Sequence, residues 1–252
     1  MALTLAIGAA GCGGDDDGGG GSGSGPARLV VSAASSMTRA LEECAPRFGE
    51  EQDSDVRLSF GGSDELAAQI RQGAPVDVYA AANTKLPDQL HADGRLGPPV
   101  KFATNEFVLA VRKGSDIRSV RDLTKEGTKI AIGSGSVPIG SYTRETLSKL
   151  PADEERAILA NVRSNEPDVK GIVGKLTQGA ADAGFVYVTD VNAAGDSLEA
   201  IDLPEKLQPQ VTYGAGVVAG AKQPRLAARF VHGLTKGACA DSLKNAGFGP
   251  AP

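Results

Sequence analysis

The run Arg28-Leu29-Val30-Val31-Ser32-Ala33-Ala34-Ser35-Ser36 sets the reading of the whole chain. Arg28–Ala34 is apolar and β-branched, the composition of a buried strand. Small residues follow, and then apolar side chains at Met37, Leu41, Cys44, Ala45 and Phe48 fall at helical spacing over Met37–Glu51. A buried strand that turns through small residues straight into an amphipathic helix is the unit of an alternating α/β chain. Working outward, Asp55–Phe60 predicts a second strand. Asp64–Gln72 predicts a helix with Leu66, Ala67 and Ile70 on one face and Gly73 as its stop. Val76–Ala81 and Thr84–Asp93 repeat the strand–helix pair. Such alternation implies a parallel sheet covered by helices.

The second half has the same grammar. Glu106–Arg112, Lys129–Gly133, Ala183–Val188 and Val211–Ala219 read as strands. Gly140–Leu150, Ala152–Ala160, Val169–Gln178 (opening just after Pro167) and Pro224–Gly237 read as helices, the last with Leu226, Phe230, Val231 and Leu234 inward. At 252 residues the chain fits one large or two modest domains. The element count predicts two α/β lobes, each a mostly parallel sheet flanked by helices, with a cleft between them. The chain is expected to cross near Thr104–Asn105 and to return near Thr212–Gly214. That gives 28–104 plus 214–252 as the first lobe and 105–213 as the second.

Composition excludes several classes. Net charge is −5, of which Asp15, Asp16 and Asp17 supply three, and residues 1–27 hold no Lys or Arg. The body is therefore close to neutral, without the basic field of a nucleic-acid binder. Aromatic residues make up 4% with no Trp, too few for base- or sugar-stacking platforms. Two His and three Cys lie far apart, so no zinc pattern exists. No apolar run approaches the ~20 residues of a membrane span.

Residues 1–11 read as the apolar end of a secretory signal, with Ala9-Ala10-Gly11 as the small residues a signal peptidase needs. Cys12 follows at once and resembles the lipidated Cys of a bacterial lipoprotein box. Gly13–Ala27 is rich in Gly, Asp and Ser, too polar to bury, and would span roughly 20 Å on average as a flexible coil. Together, 12–27 reads as a lipid anchor and tether for an exported domain on the outer face of the cytoplasmic membrane. The plainer alternative is a low-complexity tail with an incidental Cys.

Catalytic signatures are missing. Neither a Gly-x-Ser-x-Gly elbow nor a Walker A loop occurs. Gly214-Ala215-Gly216-Val217-Val218-Ala219 fits Gly-x-Gly-x-x-Ala but falls inside an expected strand, so it is read as chance. His91 and His232 sit among polar residues without a Ser or Cys partner nearby. Asp153-Glu154-Glu155 is an acidic first turn favoured by the helix dipole.

Four turns, by contrast, share one chemistry: Ala33-Ala34-Ser35-Ser36, Gly61-Gly62-Ser63, Val137-Pro138-Ile139-Gly140 and Glu166-Pro167-Asp168-Val169. Each opens a helix, where backbone N–H groups lack intrahelical partners and carry partial positive charge. Ser36 and Ser63 add hydroxyl donors. A lone Ser at a helix start is usually only a cap. Four such ends in a two-lobed chain describe a receptor for a small anion built from neutral dipoles.

These segments also carry a resemblance. Val31-Ser32-Ala33-Ala34-Ser35-Ser36-Met37-Thr38 resembles the opening of the periplasmic molybdate-binding proteins of ABC transporters, the ModA family. Similarity continues through Ser59-Phe60-Gly61-Gly62-Ser63, Leu66-Ala67-Ala68-Gln69-Ile70 and Gly73-Ala74-Pro75-Val76-Asp77-Val78. It extends to Val137-Pro138-Ile139-Gly140-Ser141-Tyr142, Glu166-Pro167-Asp168-Val169-Lys170 and Gly184-Phe185-Val186-Tyr187-Val188-Thr189-Asp190, spanning Arg28 to Gly249.

The resemblance implies a class II periplasmic-binding-protein fold and capture without catalysis. It implies that molybdate or tungstate is the ligand, with molybdenum held only as its oxyanion and no direct protein ligand to the metal. No cofactor is expected. Carried over, two hydroxyl donors fall on Ser36 and Ser63, two backbone donors on Ile139 and Val169, and a phenol on Tyr187. Ser35 is a competitor for the first role, and Ile139 stands where the family commonly has a small Ala. Asp64 and Glu65, beside Ser63, are expected to face solvent. The implied partner is a membrane permease, with the chain itself a monomer.

Other readings are the same fold holding sulfate, phosphate, an organic anion or ferric iron, or a hydrolase using Ser36 or Ser63 without an evident base. With Cys12 lipidated, Cys44 and Cys239 remain, and the resembled fold returns the chain's end to the first lobe, which would bring them together as a disulfide. Two separate buried thiols are the alternative.

Overall fold

A computed structural model describes residues 25–252. The signal, Cys12 and nearly all of the tether lie outside the described residues. In chain order the elements are β1 (Ala27–Ala34), α1 (Thr38–Gln52), β2 (Ser54–Gly61), α2 (Ser63–Arg71), β3 (Val78–Ala81), α3 (Lys85–Ala92), β4 (Val100–Asn105) and β5 (Phe107–Arg112). Then come β6 (Ile130–Gly133), α4 (Pro138–Leu147), α5 (Ala152–Ala160), β7 (Val162–Glu166), α6 (Val169–Thr177), β8 (Ala183–Tyr187) and α7 (Val188–Ala194). The chain ends with β9 (Leu198–Asp202), β10 (Val211–Val217), α8 (Pro224–Gly233) and α9 (Ala238–Ala246).

Two five-stranded sheets form, in the orders β2-β1-β3-β10-β4 and β7-β6-β8-β5-β9. The two-lobed α/β fold with mostly parallel sheets is as expected: in each sheet four strands run one way and a single strand runs the other. In the first, β1 runs parallel to β2 and β3 while β10 is antiparallel to β3 and β4. In the second, β6 is parallel to β7 and β8 while β5 is antiparallel to β8 and β9. The antiparallel strands are those next to the two chain crossings, which reverse direction to pass between lobes.

The first crossing is the single step from β4 to β5 at Asn105–Glu106. The return comes earlier than the expected Thr212–Gly214, because Val211, Thr212 and Tyr213 already pair with Asn105, Thr104 and Ala103 in the first sheet. The second lobe therefore gives way before Val211, not after 213.

The central strands are apolar because helices cover both faces. Leu29, Val31 and Ala33 of β1, and Phe107, Val108, Leu109, Ala110 and Val111 of β5, are fully buried. Helix α1 packs its Leu41–Cys44–Phe48 face inward, and Phe48 meets Phe230 of α8 edge-on at 5.0 Å. Cys239 lies on α9, a helix beyond Pro224–Gly237, the last one expected from sequence, and forms a disulfide with Cys44 of α1 with Cα atoms 4.8 Å apart. No helix among the described residues is long and apolar enough to cross a membrane.

Candidate functional site

All four small-residue turns converge on one cavity between the lobes. The first lobe contributes Ala34, Ser35, Ser36, Gly61, Gly62, Ser63 and Ala82, and the second contributes Val137, Pro138, Ile139, Asp168, Val169 and Tyr187. The five residues to which the resemblance assigns ligand contact (Ser36, Ser63, Ile139, Val169 and Tyr187) thus share one space. The space a water-sized sphere can enter there is only about 20 Å³, far below the roughly 300–1,000 Å³ of pockets for drug-sized molecules, so it suits only a very small ligand. Among the described residues, no Lys, Arg or His lines it.

Local sequence explains how each helix end is aimed. Extended Gly62 precedes Ser63, the first residue of α2. Pro138 opens α4 at a position where its missing N–H costs nothing, and leaves the Ile139 N–H in the unpaired first turn. Asp168 caps α6, its Oδ1 accepting from the Gly171 N–H at 2.9 Å, which leaves the Val169 N–H without an intrahelical partner. The bulk of Ile139 is absorbed by a glycine: a Cβ on Gly133 would sit 2.6 Å from the Ile139 side chain.

Hydrogen-bond direction makes the side chains donors. The Ser63 hydroxyl accepts from the Ala82 N–H at 3.2 Å, so its own proton is free to be given. Ser36 Oγ lies 2.9 Å from the Tyr213 hydroxyl. Tyr187 is buried, and its hydroxyl has no hydrogen-bond partner. Burial, reinforced by Tyr213, Tyr142 and Asp190, pushes this phenol well above its ordinary value, so it keeps its proton. Ser35 also lines the cavity, but no partner fixes its hydroxyl as Tyr213 fixes that of Ser36.

Of the two acids beside Ser63, Glu65 is exposed as expected. Asp64 is a correction: it is half-buried, and its Oδ1 is buried without a partner. Its place in the first turn of α2, where the helix dipole favours negative charge, offsets part of that cost. The lobes are in contact here, since a Cβ on Gly62 would meet the Pro167 carbonyl oxygen at 2.5 Å. Only glycine allows this approach. Lys170 of the second lobe also lies over the Phe60 ring of the first, 5.8 Å from its centroid. The reading from sequence missed Tyr213, which reaches Ser36, and Asn105, which reaches Tyr213; no local pattern marks either.

Behind Tyr187, Asp190 Oδ2 accepts from the Tyr187 N–H at 3.1 Å. Burial pushes its carboxyl up to about 7, opposed by that hydrogen bond and by Lys170, and reinforced by Asp168. In the unfolded chain it ionises near 3.8. Between these values the folded protein keeps a proton the unfolded chain has lost, so stability falls as pH rises through this window and is level above it. Asp190→Asn retains an acceptor but cannot ionise. It should raise the unfolding free energy at about pH 8 by up to about 4 kcal/mol, the bound set by the gap between 3.8 and about 7. Urea melts across the pH range check this, and unchanged stability at the alkaline end would refute the buried-charge account.

The sequence pattern of the family described as bacterial extracellular solute-binding proteins matches residues 29–249. The Mycobacterium tuberculosis molybdate-binding protein ModA is 35% identical over 228 residues, which cover 89% of this chain and 85% of that protein. The chain belongs to the ModA family of bacterial extracellular solute-binding proteins. A Bacillus subtilis relative, described as a putative ABC transporter substrate-binding lipoprotein, is 29% identical over 227 residues, covering 87% of this chain and 85% of its own. The Azotobacter vinelandii periplasmic molybdate-binding protein shares the fold, with a TM-score of 0.77 at 22% identity over 87% of this chain and 98% of that one. As a member of this solute-binding family, the chain is an exported binding protein and not an enzyme.

Proposed function

We propose that the chain captures molybdate, and equally tungstate, in the cavity between its lobes and delivers it to an ABC permease. Ser36, Ser63, Tyr187 and the N–H groups of Ile139 and Val169 would hold the oxyanion. The observation that carries this reading is the direction of the donors. Ser63 has its acceptor role filled by the Ala82 N–H, and among the described residues Tyr187 is a protonated phenol without a partner and no cation lines the wall.

A desolvated dianion needs nearly all its oxygens hydrogen-bonded, and donors to a charged group are strong. A wall of donors accepts an ion that is fully deprotonated at neutral pH. Monoprotonated phosphate would bring its own O–H against a donor and be rejected. Sulfate is also fully deprotonated, but its shorter bonds leave its oxygens short of donors set for a larger ion. Opening about the crossings at Asn105–Glu106 and 203–210 would part Gly62 from Pro167 and admit the ion, and their renewed contact would seal it from water.

Titration calorimetry against molybdate, tungstate, sulfate and phosphate tests the assignment. Molybdate and tungstate should bind one per chain and raise the melting temperature, as any ligand specific to the native state does. Tight sulfate binding without a molybdate response would overturn it.

We also propose that Cys12 is lipidated and tethers the domain to the membrane, supported by the sequence around it and by the lipoprotein description of the B. subtilis relative. Several acyl chains on one Cys anchor firmly, where one chain alone binds marginally. Expressed with a working signal, Cys12→Ser should move the protein from the membrane to the soluble fraction. Membrane association unchanged by the substitution would exclude an anchor at this position.

A further inference from the structure

We infer that Asn105 and Tyr213, neither of which lines the cavity, are positioning residues that fix Ser36 as a hydrogen-bond donor and so set which protonation state of an oxyanion is accepted. The inference rests on the cavity being the oxyanion site. It starts from a contrast between the two serines. Ser63 receives its hydrogen bond from a backbone N–H, which can only donate. Ser36 faces another hydroxyl, Tyr213, and two hydroxyls can point either way. Left alone, that pair would let Ser36 give its proton to Tyr213 and present a lone pair to the ligand.

Asn105 removes the ambiguity. Its Oδ1 accepts from the Glu106 N–H at 2.9 Å, which settles the orientation of the amide. The NH₂ group must then face the other way, where it donates to Tyr213 at 3.3 Å and to Thr189 Oγ1 at 2.9 Å. With its oxygen accepting from Asn105, Tyr213 turns its single proton to Ser36, and the Ser36 proton is released toward the cavity. Packing holds the phenol in this pose. Tyr213 is fully buried, with Phe102 and Phe248 against it edge-on at 6.0 and 5.2 Å. Burial also keeps the phenol protonated, so the relay cannot invert by losing its proton.

The relay sits at the crossing between lobes. Asn105 ends β4, its amide reaches Thr189 in the other lobe, and the donor sense of Ser36 is thereby tied to how the lobes are set against each other. One anchor residue thus serves both the geometry of the crossing and the chemistry of the ligand.

A double-mutant cycle on the full chain tests the relay. Tyr213→Phe is made alone and with Ser36→Ala, and molybdate and inorganic phosphate are titrated near neutral pH. Tyr213→Phe alone should weaken molybdate binding by about 3- to 10-fold. In the Ser36→Ala background it should change molybdate binding by less than about 2-fold, because its target is gone. The molybdate-to-phosphate affinity ratio should fall in the single variant, since Ser36 is then free to accept from a protonated oxygen. Asn105→Ala runs through the same cycle with the same pattern at smaller amplitude, and decides the matter should Tyr213→Phe fold poorly. Equal losses in both backgrounds, no loss in either, or an unchanged ratio would overturn the relay. If the parent binds a different oxyanion, the assignment of molybdate fails, and the cycle run with that ion still decides the role of Tyr213.

Discussion

Ser36→Ala, Ser63→Ala and Tyr187→Phe should each weaken molybdate binding by about 10- to 150-fold, the equivalent of one hydrogen bond to a charged group at roughly 1.5–3 kcal/mol. The three differ in what they do to the empty protein, and that difference makes the test sharp. Ser63→Ala strands the Ala82 N–H, whose acceptor is the lost hydroxyl, so it should also lower the melting temperature. Tyr187→Phe removes a buried hydroxyl that has no partner. It should therefore leave the ligand-free protein as stable or more stable, by about 1 kcal/mol, while binding is impaired. Calorimetry for affinity and ligand-free thermal melts for stability separate the two effects. If all three variants bind like the parent, the ion is held elsewhere.

Loss of the Cys44–Cys239 bridge should cost a large share of the stability. The bridge closes a loop of 195 positions, nearly the whole domain. A loop of that length confines the unfolded chain enough to be worth about 5 kcal/mol on the chain-entropy estimate. For a protein of this size that is a fall in melting temperature of about 10–20 °C. Both sulfurs are buried between α1 and α9, so reductant should act only after local opening. The Cys44→Ala/Cys239→Ala protein, melted beside the parent with and without reductant, gives the shift. Thiol counting in non-reducing denaturant should find neither Cys free, and two free thiols per chain would sink the bridge.

The reading of the fold failed at edges for a common physical reason. The strands that went unrecognised are β4, β7 and β9, and each lies at the edge of its sheet. A central strand buries both faces and both sides, so β1, β5 and β8 are nearly continuous runs of apolar residues. An edge strand need bury only part of one face: β7 is Val162-Arg163-Ser164-Asn165-Glu166, with no fully buried residue, and carries almost no hydropathy signal. Helix α9 was missed for a different reason. It follows α8 after a break at 234–237, and its short apolar face is completed by packing on α1. The return crossing was misplaced by a few residues because β10 looks like a strand in either lobe, and only its pairing with Asn105, Thr104 and Ala103 assigns it.

The sequence by itself determined what is local: the alternation of strands and helices, the small-residue turns that open α1, α2, α4 and α6, and the hydroxyls and N–H groups those turns carry. These follow from hydropathy period, Gly and Pro placement and helix-end chemistry, which act over a few residues. Tertiary structure alone decided what depends on contacts across more than a hundred positions. It brought Ser36 to Tyr213 and Tyr213 to Asn105, and set Gly62 against Pro167. It also buried the carboxyl of Asp190. A hydroxyl's direction and a carboxyl's charge are set by whatever neighbour folding supplies, and no short stretch of sequence names that neighbour.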